Sequence, residues 1–199
     1  MSKVILTEGI NDTEFLEASI SEYANQLEVD RYDIESQPAD ATVPEESEKL
    51  RSFGGRFCPY DVLLKSEGGI PNLKRCFADL TRYFTTYDPE IYLLVDLDSR
   101  TVSDIISDIN DILRGKNTSR SIKIEPNSRI ERLTYIHKQV HNIHIDGSPS
   151  KNFTLIAFPS DLEDIAGIGE DDSRESKNEK LVELAGDERV RKPITRAIF

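Results

Sequence analysis

Carboxylates supply the reactive chemistry written into this chain. Glu8 stands beside Gly9 at the end of an apolar run, and Asp12 follows to complete Glu-Gly-x-x-Asp. Asp96 and Asp98 flank Leu97 directly after the apolar run IYLLV, and Glu163 and Asp164 come shortly after a second such run, FTLIAF. Mg²⁺ and Mn²⁺ are hard cations that take oxygen ligands, usually a few carboxylates with the remaining positions filled by water or substrate phosphate. Carboxylates delivered from neighbouring strand ends suit that coordination. In an extended chain Asp96 and Asp98 point to the same side, with Leu97 turned the other way. Glu8 joins them if the strands that start at Lys3 and Ile91 are neighbours.

The elements that must do this positioning follow from the hydrophobic pattern. Residues 3–7 form a short β-rich run, followed by Glu-Gly and a helical stretch over 12–27 with Phe15, Leu16 and Ile20 at helical spacing. The run DVLLK over 61–65 ends in Ser-Glu-Gly-Gly before Pro71 and an amphipathic stretch over 72–84, in which Phe77, Tyr83 and Phe84 read as core. Ile91 to Val95 is the strongest strand signal, a continuous apolar run of the kind found in buried parallel strands. A helical stretch over 102–113 follows, then SIKIE, then a mixed segment with all 3 histidines, then FTLIAF over 153–158.

Strands alternating with helices predict right-handed crossovers and a mostly parallel central sheet with helices on both faces. Function in such α/β sheets gathers outside the carboxyl ends of the strands, where both the Glu8 and the Asp96–Asp98 motifs fall. One domain is expected over 1–166, carrying an acidic loop or insertion near 35–60 that contains PEESE. The charged tail over 167–199 reads as a docking helix or a disordered arm.

The segments VILTEGINDTEFL and IYLLVDLDS, in that order, resemble the Toprim domain shared by topoisomerases, bacterial-type primases, recombination proteins and OLD-family nucleases. DVLLKSEGGIPNL is similar to the second strand and Gly-rich turn of OLD-type and small stand-alone Toprim proteins, and PSDLEDI sits where those proteins carry a further acidic pair. The resemblance spans roughly residues 3–165. It implies a Rossmann-like fold and an Mg²⁺- or Mn²⁺-dependent endonuclease acting on DNA in preference to RNA. Glu8 would be the general acid or base, or a metal ligand. Asp96 and Asp98 would bind the metal, and Glu163 and Asp164 a second ion, in an arrangement that stabilises both the attacking and the leaving oxygen. Gly9, Gly68 and Gly69 would let backbone approach a phosphate, and Asp12 of the same motif, Lys65 and Arg100 are candidate phosphate or nucleic-acid contacts. The long loop before Tyr60 departs from the compact family core. No ATPase domain, zinc ribbon or helicase is expected within these 199 residues, and a separate ATPase or other protein partner is an expected associate.

Composition narrows the field. A net charge of −12 disfavours nonspecific attraction to nucleic acid or an anionic membrane, but weighs less against an enzyme whose metals neutralise the acids where phosphate approaches. The 2 cysteines, Cys58 and Cys76, fit neither a zinc knuckle nor a redox pair. With no secretory leader pattern and no long apolar run, a cytoplasmic location is expected.

Plainer readings stand beside each of these. Glu-Gly at a strand end is often a turn, Asp98 suits a helix N-cap, and Glu163 and Asp164 suit the first turn of a helix. Lys65 can snorkel from a strand end and Arg100 can pair with a nearby acid. His137 and His141, four apart, would share a helix face but lack the Glu of a zincin motif. At the level of function, the alternatives are a non-catalytic Toprim-fold module that binds a protein partner, and a haloacid-dehalogenase-type phosphatase built on DLDSRT. In that family the motif lies on the first strand with Thr or Val where Arg100 stands here.

Overall fold

The computed structural model describes residues 2–24, 27–33, 60–81, 89–116 and 120–199. The acidic stretch near 35–60 apart from Tyr60, and with it Cys58, lies outside the described residues, as do Tyr83 and Phe84.

Five strands lie parallel. They are β1 (Lys3–Thr7), β2 (Val29–Asp33), β3 (Val62–Ser66), β4 (Glu90–Asp96) and β8 (Ser148–Phe158). β5 (Ile122–Pro126), the short β6 (Glu131–Arg132) and β7 (His137–Ile145) complete an eight-stranded sheet ordered β2-β3-β1-β4-β8-β7-β5, with β6 pairing β7 off that path. β7 runs antiparallel to both β8 and β5, so the sheet is mixed though mostly parallel. The apolar run of β4 is buried from Ile91 to Val95 because neighbours on both sides and helices on both faces exclude water.

Among the described residues six helices flank the sheet: α1 (Ile10–Ala24), α2 (Ile70–Leu80), α3 (Val102–Gly115), α4 (Leu162–Ala166), α5 (Arg174–Gly186) and α6 (Glu188–Ile198). On one face, Leu73 and Phe77 of α2 and Ile105, Ile109 and Leu113 of α3 pack against Leu6, Leu63, Leu93 and Leu155. On the other, Phe15, Leu16 and Ile20 of α1, Leu181 of α5 and Val190, Ile194 and Ile198 of α6 cover Ile5, Leu64, Leu94 and Ile156. α3 starts where Thr101 and Asp104 cap each other's backbone N–H groups, a reciprocal box that satisfies two donors at the helix end.

Two details differ from the pattern-based expectation. The 61–65 run forms the third strand, because Val29–Asp33 makes an edge strand before it. The histidine-bearing segment is β7, an extended strand and not a helix. β7 turns into β8 through Asp146 and Gly147, both at positive φ (52° and 80°), the two-residue connection that matches the twist of a hairpin. The tail read as a docking helix or a loose arm holds α5 and α6, with Leu181, Val190 and Ile194 fully buried. No helix among the described residues is long and apolar enough to cross a membrane.

Candidate functional site

Parallel pairing of β1 with both β3 and β4, and of β4 with β8, brings four chain segments to one edge of the sheet. Glu8 follows β1, the Glu67–Gly69 turn follows β3, Leu97 to Arg100 follow β4, and Pro159 to Asp161 follow β8. The Glu8 Oε1 atom accepts a 2.8 Å hydrogen bond from the backbone N–H of Asp96. The Glu8 carbonyl accepts a second, of 2.7 Å, from the N–H of Gly69. Gly69 adopts φ 114°, a conformation L side chains rarely reach, so glycine there lets the turn fold back on Glu8 before α2 begins.

Asp12 and Asp96 complete the centre. The Gly9 N–H donates to Asp12 Oδ2 at 2.9 Å, turning that carboxylate, which is 6% exposed, back towards the loop after β1. The Leu162 N–H at the start of α4 donates to Asp96 Oδ2 at 3.3 Å, while Asp96 Oδ1 is buried with no hydrogen-bond partner. Glu163 is brought in from α4 by Asn11, whose Nδ2 donates to Glu163 Oε1 at 2.7 Å.

Electrostatics register this crowding. Burial pushes the Glu8 carboxyl up to about 7, with the charges of Asp98 and Glu163 adding to it and the Asp96 N–H and Lys74 opposing it. Burial also lifts Asp12 to about 8, helped by Glu8 and Glu163. Asp96 rises to about 9, through burial first and then through Asp12, Glu8 and Glu163. Like charges in a partly dry site disfavour one another's ionised form, and either a proton or a cation relieves them.

Asp98 sits differently from its neighbour. β4 ends at Asp96, and Asp98 and Ser99 both take positive φ (44° and 65°), so the chain does not stay extended past Asp96. Asp98 is therefore exposed, although its charge still reaches Glu8. Its carboxyl is hydrogen-bonded to that of Asp161, and that bond, with burial behind it, holds Asp161 above the usual carboxylate range. The N-cap of α3 is Thr101, not Asp98.

Other candidates lie further out. Lys65 is 1% exposed on the Leu63 side of the sheet, paired with Glu67 and with its Nζ 5.4 Å from the centre of the Tyr32 ring. Arg100 donates to Asp108 of α3, and Asp164 is exposed on α4. His137, His141 and His144 lie on β7, among the strands beyond β8, and His141 is buried against Phe153.

Lys74 and Asp161 are functional candidates that sequence reasoning did not single out. Asp161 had a signal, since it follows a buried strand as Asp96 does. Lys74 had none, being one of many lysines on amphipathic helices.

The donor set fits a hard divalent cation in type: carboxylate oxygens, several of them buried, one with no partner, and too few positive charges nearby to neutralise them. Among the described residues no three of these side chains already converge on a single coordination point. No protein-family model matches the chain, and no curated protein or solved structure matches it significantly.

Proposed function

We propose that this chain is a Toprim-type phosphoryl-transfer enzyme that depends on Mg²⁺ or Mn²⁺ and cleaves phosphodiester bonds of nucleic acid, DNA in preference to RNA. The observation that carries the reading is the hydrogen bond from the Asp96 N–H to the Glu8 carboxylate, which joins the two acidic motifs at adjacent parallel strand ends. The order of motifs along the chain agrees with it, as does the buried, partnerless Asp96 Oδ1.

Asp96, Asp12 and Glu8 would hold the cation, with Asp98 and Glu163 within electrostatic reach to complete the set or receive a second ion. When bound, the metal stabilises charge on the phosphoryl oxygens. Glu8, held near pH 7, can give or take a proton close to physiological pH, which is where a general acid or base works best. Gly69, at φ 114°, turns its N–H to the Glu8 carbonyl and so fixes the loop that presents the Glu8 carboxyl at this edge.

The test is nicking of supercoiled plasmid by the purified full chain in Mn²⁺, Mg²⁺ or EDTA. Cleavage should require the divalent ion and disappear in Glu8→Ala and in the Asp96→Ala, Asp98→Ala double variant. Equal nicking by those variants would reject the assignment. The net charge of −12 favours a second reading, a metal-carrying module that binds a protein partner without catalysis. Absence of cleavage across DNA and RNA substrates, together with a stoichiometric complex in pull-downs, would select it.

A further inference from the structure

Beside the acidic cluster lies a small group of opposite character. Lys74, one turn into α2, is buried to 9% exposure, and its Nζ lies 2.6 Å from Asp108 Oδ2 of α3. Arg100, two residues past Asp98, donates to the same Asp108 oxygen. A bridge between two helices needs one cation and one carboxylate, yet here two cations converge on a single oxygen atom. Burying an ammonium group is costly unless it is well paired, and Asp108 is itself 39% exposed and shared.

The group is also tied to the acidic site. Gly69, next to the first residue of α2, is bonded to Glu8, and the Lys74 charge acts on the Glu8 carboxyl. Arg100 and Asp98 sit on the same short turn after β4, where Arg100 N–H bonds back to the Leu97 carbonyl at 2.6 Å. Two cations that share one carboxylate oxygen, next to a cluster of carboxylates, suit a phosphodiester. The acids hold the ion, and the ammonium and guanidinium take the non-bridging oxygens that the ion does not.

We infer that Lys74 and Arg100 form the anion-binding side of this site, contacting phosphate oxygens of the substrate backbone, and that Asp108 is the positioning residue that holds both in place. This rests on the phosphodiester reading given above, extending it to the partner of the non-bridging oxygens. Lys74 is the principal contact, because its buried stem fixes the ammonium, while Arg100 is more exposed and reads the neighbouring phosphate.

The experiment measures binding of a fluorescein-labelled 15-nucleotide DNA, single-stranded and duplex, to the full chain in Ca²⁺ over a range of salt. Plasmid cleavage in Mn²⁺ and the melting shift produced by inorganic phosphate are read in parallel. Lys74→Met keeps the aliphatic stem, Arg100→Gln changes a partly exposed group, and Lys123→Gln on distant β5 is the control. Lys74→Met and Arg100→Gln should each weaken DNA binding by about tenfold and lower the slope of log affinity against log salt by about 1, with Mn²⁺-induced stabilisation intact. Asp108→Asn should keep the salt slope but lower kcat, since it leaves both charges in place and loosens them.

Salt slopes equal to wild type in both Lys74→Met and Arg100→Gln, with cleavage intact, would overturn the anion site and leave the nuclease reading standing. A wild-type chain that cleaves nothing, yet loses phosphate-induced stabilisation in Lys74→Met, would do the reverse. If Lys74→Met melts far below wild type, Arg100→Gln decides the matter through the same slope.

Discussion

The Glu8 carboxylate and the Asp96 backbone N–H, 88 positions apart in sequence, meet at 2.8 Å. That contact orients one acid of the first motif towards the second, and the carboxyls around it are buried deeply enough to hold protons near neutral pH. The sheet edge therefore carries a charge problem with two solutions, protonation or a cation.

Metal-free stability should fall with rising pH because of this cluster. Glu8, Asp12 and Asp96 have folded values of about 7, 8 and 9, against ordinary values of 4.5, 3.8 and 3.8. Between those limits the folded chain keeps protons that the unfolded chain releases, so their contribution is fully present below about pH 4 and is lost progressively up to about pH 9. Melting in EDTA at pH 5, 7 and 9 should show the decline. Mn²⁺ should reverse most of it at pH 9 and little at pH 5, since ion and proton compete for the same oxygens. A melting temperature equally responsive to Mn²⁺ at both ends would exclude the cluster as the ion's site.

Neutralising a central acid should separate stability from activity. Asp96→Asn replaces a carboxyl that burial and three neighbouring acids force to keep a proton, so the metal-free variant should be more stable than wild type at pH 8 by about 1 kcal/mol or more. Its Mn²⁺ affinity and any cleavage should fall by at least about 100-fold. Glu8→Gln should behave the same way, with a smaller gain because Glu8 already has the Asp96 N–H and Lys74 as compensation. Urea unfolding at pH 8 without metal checks the sign, and a destabilised Asp96→Asn would show that the carboxylate is a structural anchor.

His141 provides an acid-side counterpart on the far part of the sheet. It is 2% exposed, stacked on Phe153 with ring centres 5.2 Å apart, and neither ring nitrogen has a hydrogen-bond partner. Burial pushes it down to about 4 from 6.5. The unfolded chain thus takes up a proton near pH 6.5 that the folded chain refuses until about 4. Stability is lost as pH falls through that window, by up to about 3 kcal/mol from this group. His141→Leu should melt above wild type at pH 5, with the gap narrowing above pH 7, and a constant gap across that range would disprove the linkage.

The pattern of apolar runs made β1, β3, β4 and α3 legible, because each is buried in the way its period dictates. The second half of the sheet was harder to read. In β7 the residues facing the core are Gln139, His141 and Ile143, so two polar side chains interrupt the alternation that marks a strand. Asp146–Gly147 was the available signal for the hairpin. At the site, Glu8 and Asp96 were recoverable from their places after apolar strands. The left-handed turn that swings Asp98 towards Asp161 was not, since no glycine marks it. Lys65 misled because a lysine at a strand end usually reaches solvent, whereas here Glu67 and the Tyr32 ring make burial tolerable.

The C-terminal helices should matter for folding and not for ion selectivity. α6 inserts Val190 and Ile194, both fully buried, into the core that α1 and α5 share, and α1 is the helix that carries Asp12 directly after Glu8. Ile194→Ala removes buried methylenes and leaves a cavity, which should destabilise the chain by about 2–5 kcal/mol. Because α1 is also held by Phe15 stacking edge-on against Phe158 at 5.8 Å, Asp12 should keep its place in the folded fraction. Well below the lowered melting temperature, Ile194→Ala should therefore bind Mn²⁺ with wild-type pH dependence. Calorimetric titration at 15 °C checks this, and a weakened or pH-shifted binding curve would mean that α6 sets the geometry of the carboxylates as well as the stability of the fold.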